Sequence, residues 1–284
     1  MRKNKFNYVM ILALTVSFVA CNKKEVEDRG LTDTALDAGF TITTVNANNF
    51  IARVKDSSYI MSKWDLGNGS GPSVGLATLP IFLPDAGTYT VTHYAVGKGG
   101  ATTTATQNIT VATSDLARGN LLQGGKFETA ADAAKWTTLV IGAPAVVWTH
   151  TGGKMTATGG SFGHSGIYQA IQVEANKDYR FAMTVAGSGA TDTWFEVYFG
   201  TAVPVQNSDY NSGGIRIALN TWAGCGNTAF NGNIATIGCE GSLLGQNGKV
   251  RFTTAGTIYV LIKTGGGNLG TNGISVDNIE LRGI

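Results

Sequence analysis

Along most of the chain, apolar residues recur at every second position in short runs broken by glycine and asparagine, a period that predicts β-strands rather than helices. The clearest run spans residues 193–200, where Phe195, Val197 and Phe199 fall on one face and Trp194, Glu196 and Tyr198 on the other. Three further sets, Ile258-Val260-Ile262, Ile215-Ile217-Leu219 and Phe181-Met183-Val185, read as core-facing. Their opposite faces carry Tyr259, Leu261 and Lys263; Arg216, Ala218, Asn220 and Trp222; and Arg180, Ala182 and Thr184. A sheet with one apolar and one mixed face is a sheet with a solvated side. Nearer the N-terminus, residues 40–43, 50–54, 59–64, 87–96 and 107–111 also read as strands, with a turn at Gly67-Asn68-Gly69. About seven short strands in so short a stretch fit a small β-sandwich.

Composition agrees with that pattern. Glycine alone numbers 39 and only 14% of residues are charged, which suits an all-β protein with many turns. The 21 basic and 19 acidic residues leave a net charge of +2, so nothing points to a nucleic-acid partner. Arg2, Lys3 and Lys5 precede an apolar run from Tyr8 to Ala20 that is too short to span a bilayer comfortably, as in a secretion signal. The run closes on Phe18-Val19-Ala20-Cys21. That ending resembles the lipobox of bacterial lipoproteins, which implies a signal peptide over residues 1–20 and lipidation of Cys21. The charged stretch after it, with no apolar period, predicts a flexible tether over residues 21–38. An acidic run so close to a lipidated Cys resembles the export signal of lipoproteins in glycan-degrading Gram-negative bacteria; the alternative is a solvated linker. Cys225 and Cys239 enclose a Gly- and Asn-rich loop, and in an oxidising compartment they predict a disulfide. Closing it restricts the unfolded chain by about 3 kcal/mol in the entropy model.

Two motifs in the first module, Trp64-Asp65-Leu66-Gly67-Asn68-Gly69 and Ala86-Gly87-Thr88-Tyr89-Thr90-Val91, resemble the polycystic-kidney-disease (PKD) domain, an immunoglobulin-like sandwich. The resemblance covers residues 39–113 and implies a spacer with Trp64 buried, Asp65 capping the turn, and Gly67 and Gly69 at positive φ. Residues 114–119 read as a linker. The next segment, Asn120-Leu121-Leu122-Gln123-Gly124-Gly125-Lys126-Phe127-Glu128 followed by Trp136, resembles the start of carbohydrate-binding modules of the family 4 and 9 type. The likeness returns at Gly163-His164-Ser165-Gly166-Ile167-Tyr168-Gln169-Ala170, at Lys177-Asp178-Tyr179-Arg180-Phe181 and at Val276-Asp277-Asn278-Ile279-Glu280-Leu281. It implies that residues 120–284 fold as a β-jelly roll of the galactose-binding-like kind, with a sugar groove on the solvated face. The expected fold class is therefore all-β, an immunoglobulin-like (PKD) sandwich followed by a jelly-roll sandwich.

Sugar recognition needs flat aromatic surfaces for ring C–H faces and fixed polar groups for hydroxyls. Trp194 and Tyr198 with Glu196 between them supply both, and Arg180, Arg216, Trp222 and Trp148 are further candidates. For each the competing reading is a packed position, and Trp136 is read as core. An Arg in the groove favours acidic sugars, whereas a flat aromatic groove suits β-glucans. The long segment 222–246 either walls the groove or covers a sheet end. No cofactor is required; Glu128 and Asp277 are oxygen donors placed for a structural Ca²⁺ between the opening and closing segments, or else for turn hydrogen bonds. Enzyme chemistry is not expected. Glu196 has no partner carboxylate in its strand set, no Gly-x-Ser-x-Gly, His-Glu-x-x-His or phosphate loop occurs, and His93, His150 and His164 are dispersed. Two functional readings follow. One is a lipid-anchored lipoprotein on the cell surface of the outer membrane, binding a polysaccharide and presenting it to an outer-membrane glycan importer. The other is a structural or adhesive surface lipoprotein with no soluble glycan ligand.

Overall fold

The computed structural model describes residues 36–142, 146–211 and 214–284, so Cys21, the signal segment and most of the tether lie outside the described residues. The fold is all-β. Its first seven strands are β1 (Phe40–Thr44), β2 (Asn49–Val54), β3 (Met61–Asp65), β4 (Ser73–Gly75), β5 (Thr78–Phe82), β6 (Gly87–Val96) and β7 (Thr102–Val111). They form a three-stranded sheet, β1-β2-β5, and a four-stranded sheet, β4-β3-β6-β7. Trp64 is fully buried between the edge of Phe40, 5.1 Å away, and the ring of His93 at 4.3 Å. His93 is buried because both ring nitrogens have partners, Ser62 Oγ and the Ala38 carbonyl, each at 2.7 Å. Asp65 accepts the Gly67 N–H at 2.9 Å, and Gly67 and Gly69 take φ values of 68° and 86°, so the turn is capped as expected.

Eleven more strands follow: β8 (Thr137–Val140), β9 (Val146–His150), β10 (Met155–Gly159), β11 (His164–Val173), β12 (Lys177–Gly187), β13 (Thr191–Gly200), β14 (Ile215–Asn220), β15 (Phe230–Asn233), β16 (Lys249–Phe252), β17 (Gly256–Asn268) and β18 (Ile274–Gly283). They make two antiparallel sheets, β15-β12-β18-β10-β9 with β16 alongside β12, and β14-β13-β17-β11-β8. Consecutive strands β12 and β13 belong to different sheets, so the chain crosses the sandwich between them. Phe181, Met183 and Val185 from one sheet meet Phe195, Val197, Phe199, Val260 and Ile262 from the other in one core. Phe181 and Phe199 touch edge to face at 5.1 Å. At about 25 cal/mol per Å² of apolar surface, such interlocked rings are the main stabilising term of a sandwich.

The opening segment is pinned to the closing strand. Asn120 Oδ1 accepts the N–H groups of Leu122 and Leu281, the Leu121 N–H donates to the Leu281 carbonyl, and the Ile279 N–H donates to Gly125. By contacts, residues 36–41, 52–79 and 91–107 gather into one compact unit and residues 42–51, 80–90 and 108–284 into another.

Candidate functional site

The outer face of the five-stranded sheet follows from its register. Tyr198 lies between Leu261 and Arg216, Glu196 between Lys263 and Ala218, and Trp194 between Gly265 and Asn220. On the far side of β17, Tyr168, Gly166 and His164 continue the same three rows. Trp194, Glu196, Tyr198 and Arg216 therefore share one face, as the alternation of residues 193–200 requires.

That face is not an open groove throughout. Residues after β13 fold back over its middle: Gln206 accepts the Val140 N–H and donates to the Thr138 carbonyl, both at 2.9 Å, so the loop is stitched to edge strand β8. Tyr210 then packs edge-on against Tyr198 at 6.2 Å, within a cluster that also holds Leu139, Ile141 and Leu261. Tyr198 is consequently buried rather than presented to solvent, and Leu261, on the side expected to be wet, is buried with it.

The charged groups of this face are consumed by one another. Lys263, its side chain only 4% exposed, donates to Asp209 at 2.7 Å, lies 3.5 Å from Glu196 and sits 5.0 Å from the centre of the Tyr198 ring. Gly166 leaves the room it occupies, because a Cβ there would stand 3.0 Å from Lys263 Cβ. Arg216 bridges Glu196, at 3.1 Å, and Glu240. Glu240 also accepts from Asn220 Nδ2. Hydrogen bonds from Arg216 and Asn220 hold the Glu240 carboxyl below the usual carboxylate range. Burial pulls Asp209 upward, but the Lys263 ammonium outweighs it and the net direction is also down.

Glu240 reaches this position because of the disulfide, which forms between Cys225 and Cys239 as expected. The Cys239 N–H donates to the Ala218 carbonyl at 2.9 Å and the Cys225 N–H to the Asn220 carbonyl at 3.2 Å, so both ends of the loop lie along edge strand β14. Between them the chain crosses to the other sheet as β15, pairing with β12, and returns through the short helix α1 (Ile234–Ile237). The long segment thus spans the sheet end and contributes Glu240 to the outer face.

At that end of the face the aromatic groups are open. Trp222 is 59% exposed and stacks on Trp194 with ring centres 6.3 Å apart and planes 28° apart. Trp194 meets His164 edge-on at 5.6 Å. Burial keeps the His164 imidazole below its ordinary pKa. Asn220 fixes the turn that carries Trp222: its Oδ1 accepts the Trp222 N–H at 3.0 Å while its Nδ2 is held by Glu240.

The remaining candidates lie elsewhere. Trp148 is 8% exposed and belongs to the core; among the described residues its indole N–H has no hydrogen-bond partner. The even alternation of residues 146–150 left its facing open, and sheet packing turns it inward. Trp136 is buried in the same core, as expected. Arg180 is exposed on the other sheet, because β12 pairs with β16 and β18 rather than with β13. Asp277 accepts both the N–H and the side-chain amide of Asn278, and Glu128 is exposed. The nearby carbonyls of Gly125 and Phe127 already accept from Ile279 and His150. Among the described residues no cluster of three or more acidic, His or Cys side chains forms. Sequence reasoning missed Asp209, Tyr210 and Glu240, since nothing in a non-periodic loop indicates which strand it covers.

No family model matches the chain, and no curated protein matches it. Among solved structures it is similar to carbohydrate-binding modules from the β-sandwich superfamily, described for promiscuous specificity: 17% identity over 86% of this chain and 97% of that one, with a TM-score of 0.31. A CBM4 structure is 16% identical over 57% of this chain and 99% of its own, with a TM-score of 0.35. The enzymatically active domain of tailspike protein 4 of bacteriophage CBA120 is 15% identical over 58% of this chain and 21% of its own, with a TM-score of 0.37. With scores this low, none of these likenesses carries an argument about function.

Proposed function

We propose that this protein is a non-catalytic glycan-binding protein of the bacterial surface, held through a lipid on Cys21, with its first sandwich as a spacer and its jelly roll as the module that takes a polysaccharide for an outer-membrane importer. The observation that carries the binding reading is the Trp222–Trp194 pair, a large apolar ring surface left open to solvent beside a polar sheet face. Exposed tryptophan in that setting matches the C–H face of a pyranose while neighbouring polar groups meet its hydroxyls. A hydrolase would need one carboxyl kept protonated as general acid. Glu196, Glu240 and Asp209 are each engaged by Arg216 or Lys263, an arrangement that fits binding rather than cleavage.

Calorimetry and affinity gel electrophoresis against plant, algal and fungal polysaccharides test the reading. Trp222→Ala is expected to weaken binding to the best ligand by about tenfold or more, the worth of a lost aromatic contact, with little change in Tm. Absence of binding across the panel would leave the adhesive or structural alternative.

A further inference from the structure

The turn formed by residues 160–163 holds Phe162 in an unusual way. Ser161 and Phe162 both adopt left-handed backbone, with φ of 56° and 62°. A bulky non-glycine residue rarely takes that conformation, and it persists only when its surroundings over-determine it. Here the Ser161 and Phe162 N–H groups donate to the Gly267 and Gly266 carbonyls at 3.0 and 2.8 Å, bolting the turn to the end of β17. The strain does not bury the ring: Phe162 is 66% exposed.

Its ring lies over a floor without side chains. A Cβ on Gly267 would stand 3.6 Å from Phe162 Cζ and 3.2 Å from Asp192 Cβ; one on Gly265, two positions back, would stand 2.8 Å from Trp194 Cζ2. Phe162, Trp194 and the stacked Trp222 therefore follow one another across the end of the sheet. Asp192, itself at a φ of 49°, borders the same floor, its Cβ 3.2 Å from where a Gly267 Cβ would stand; it is exposed and makes no side-chain hydrogen bond among the described residues. Deeper in the face, the carboxylates of Glu196, Glu240 and Asp209 already occupy Arg216 and Lys263, with one negative charge in excess.

We infer that Phe162 and Asp192 complete the binding site with Trp194 and Trp222, and that the sugar they hold is a neutral pyranose rather than a uronate. This rests on the glycan-binding reading above. The rings stack on the C–H face and the free Asp192 carboxylate accepts from the sugar hydroxyls. A uronate would meet that unpaired carboxylate and find both cations of the face already paired.

The test uses the full chain with neutral β-glucan, xylan and mannan on one side and alginate and polygalacturonate on the other. Phe162→Gly relieves the positive φ, so Tm is expected to hold or rise while affinity for the bound neutral polysaccharide falls by about tenfold. Phe162→Tyr keeps the ring and the affinity, and Asp192→Asn weakens binding to the neutral chain and narrows its margin over alginate and polygalacturonate. Undiminished affinity in Phe162→Gly, with Trp222→Ala still weakened, overturns this inference and spares the broader reading. Preference of the wild type for alginate or polygalacturonate overturns it as well. Binding to none of the five polysaccharides overturns both, and a change of oligomeric state in Phe162→Gly reassigns the rings to self-association.

Discussion

Trp148 and Trp222 show how one residue type divides into two jobs according to what surrounds it. Trp148 is packed among Val146, Met155 and Ala157 in the jelly-roll core, so its truncation removes buried surface and leaves a cavity. Trp148→Ala is expected to lower unfolding free energy by about 3–5 kcal/mol in urea titration; a loss below ~1 kcal/mol would mean that the position is not packed. Trp222, stacked on one side and wet on the other, can be removed at little structural cost. The sequence could not separate the two, since each stands in a short alternating run and facing depends on strands distant along the chain. Lys263 illustrates the same limit. Its place opposite the core set was legible, but its near-complete burial depends on Asp209 from a loop without periodicity. Phe162 carried a faint signal, an aromatic ring between Gly160-Ser161 and Gly163.

At the scale of elements, alternation made strands and their faces readable: the core sets on β12, β13 and β17 pack inward as their period requires. Sheet membership was not readable, because β12 and β13 are neighbours in sequence yet lie in opposite sheets, which removes Arg180 from the face of Trp194. The segment stapled by Cys225–Cys239 binds these levels together. It carries β15 into one sheet and delivers Glu240 to the other, where Glu240 holds Asn220 and Asn220 holds the turn bearing Trp222. Replacing both cysteines by alanine is therefore expected to have two effects. Stability should fall by about 3 kcal/mol, the loop-closure value, and glycan affinity should fall as the Trp222 turn loosens. Thermal melts with and without reductant check the first: wild type should lose stability under reductant and the double variant should not. Equal melts for reduced and oxidised wild type would show that the staple contributes nothing.

Across the whole molecule, the all-β class was legible from period and glycine content, whereas the filling of the sheet face by ion pairs was not. That filling gives the jelly roll a pH dependence whose sign can be worked out. Glu240 is held below its ordinary range by Arg216 and Asn220, and Asp209, despite the upward pull of burial, by Lys263. A carboxyl with a depressed folded-state pKa contributes stability above its unfolded value, about 4, that is lost as pH falls through the folded value. His164 acts in the same direction: burial disfavours its protonation in the fold, so the fold loses ground as pH drops below about 6.5, where the unfolded imidazole takes up a proton. Both Asp209 and Glu240 side chains remain partly exposed, so solvent screening keeps each contribution small. Tm is expected to decline gently from about pH 7 to 5 through His164 and more steeply below about pH 4 through the carboxylates. Tryptophan fluorescence follows it, since four of the five tryptophans, all but Trp64, lie in the jelly roll. Glu240→Gln should blunt the acid limb specifically, because the Arg216 and Asn220 contacts would then carry no charge to lose. An acid limb equally steep in that variant would place the titration elsewhere in the chain.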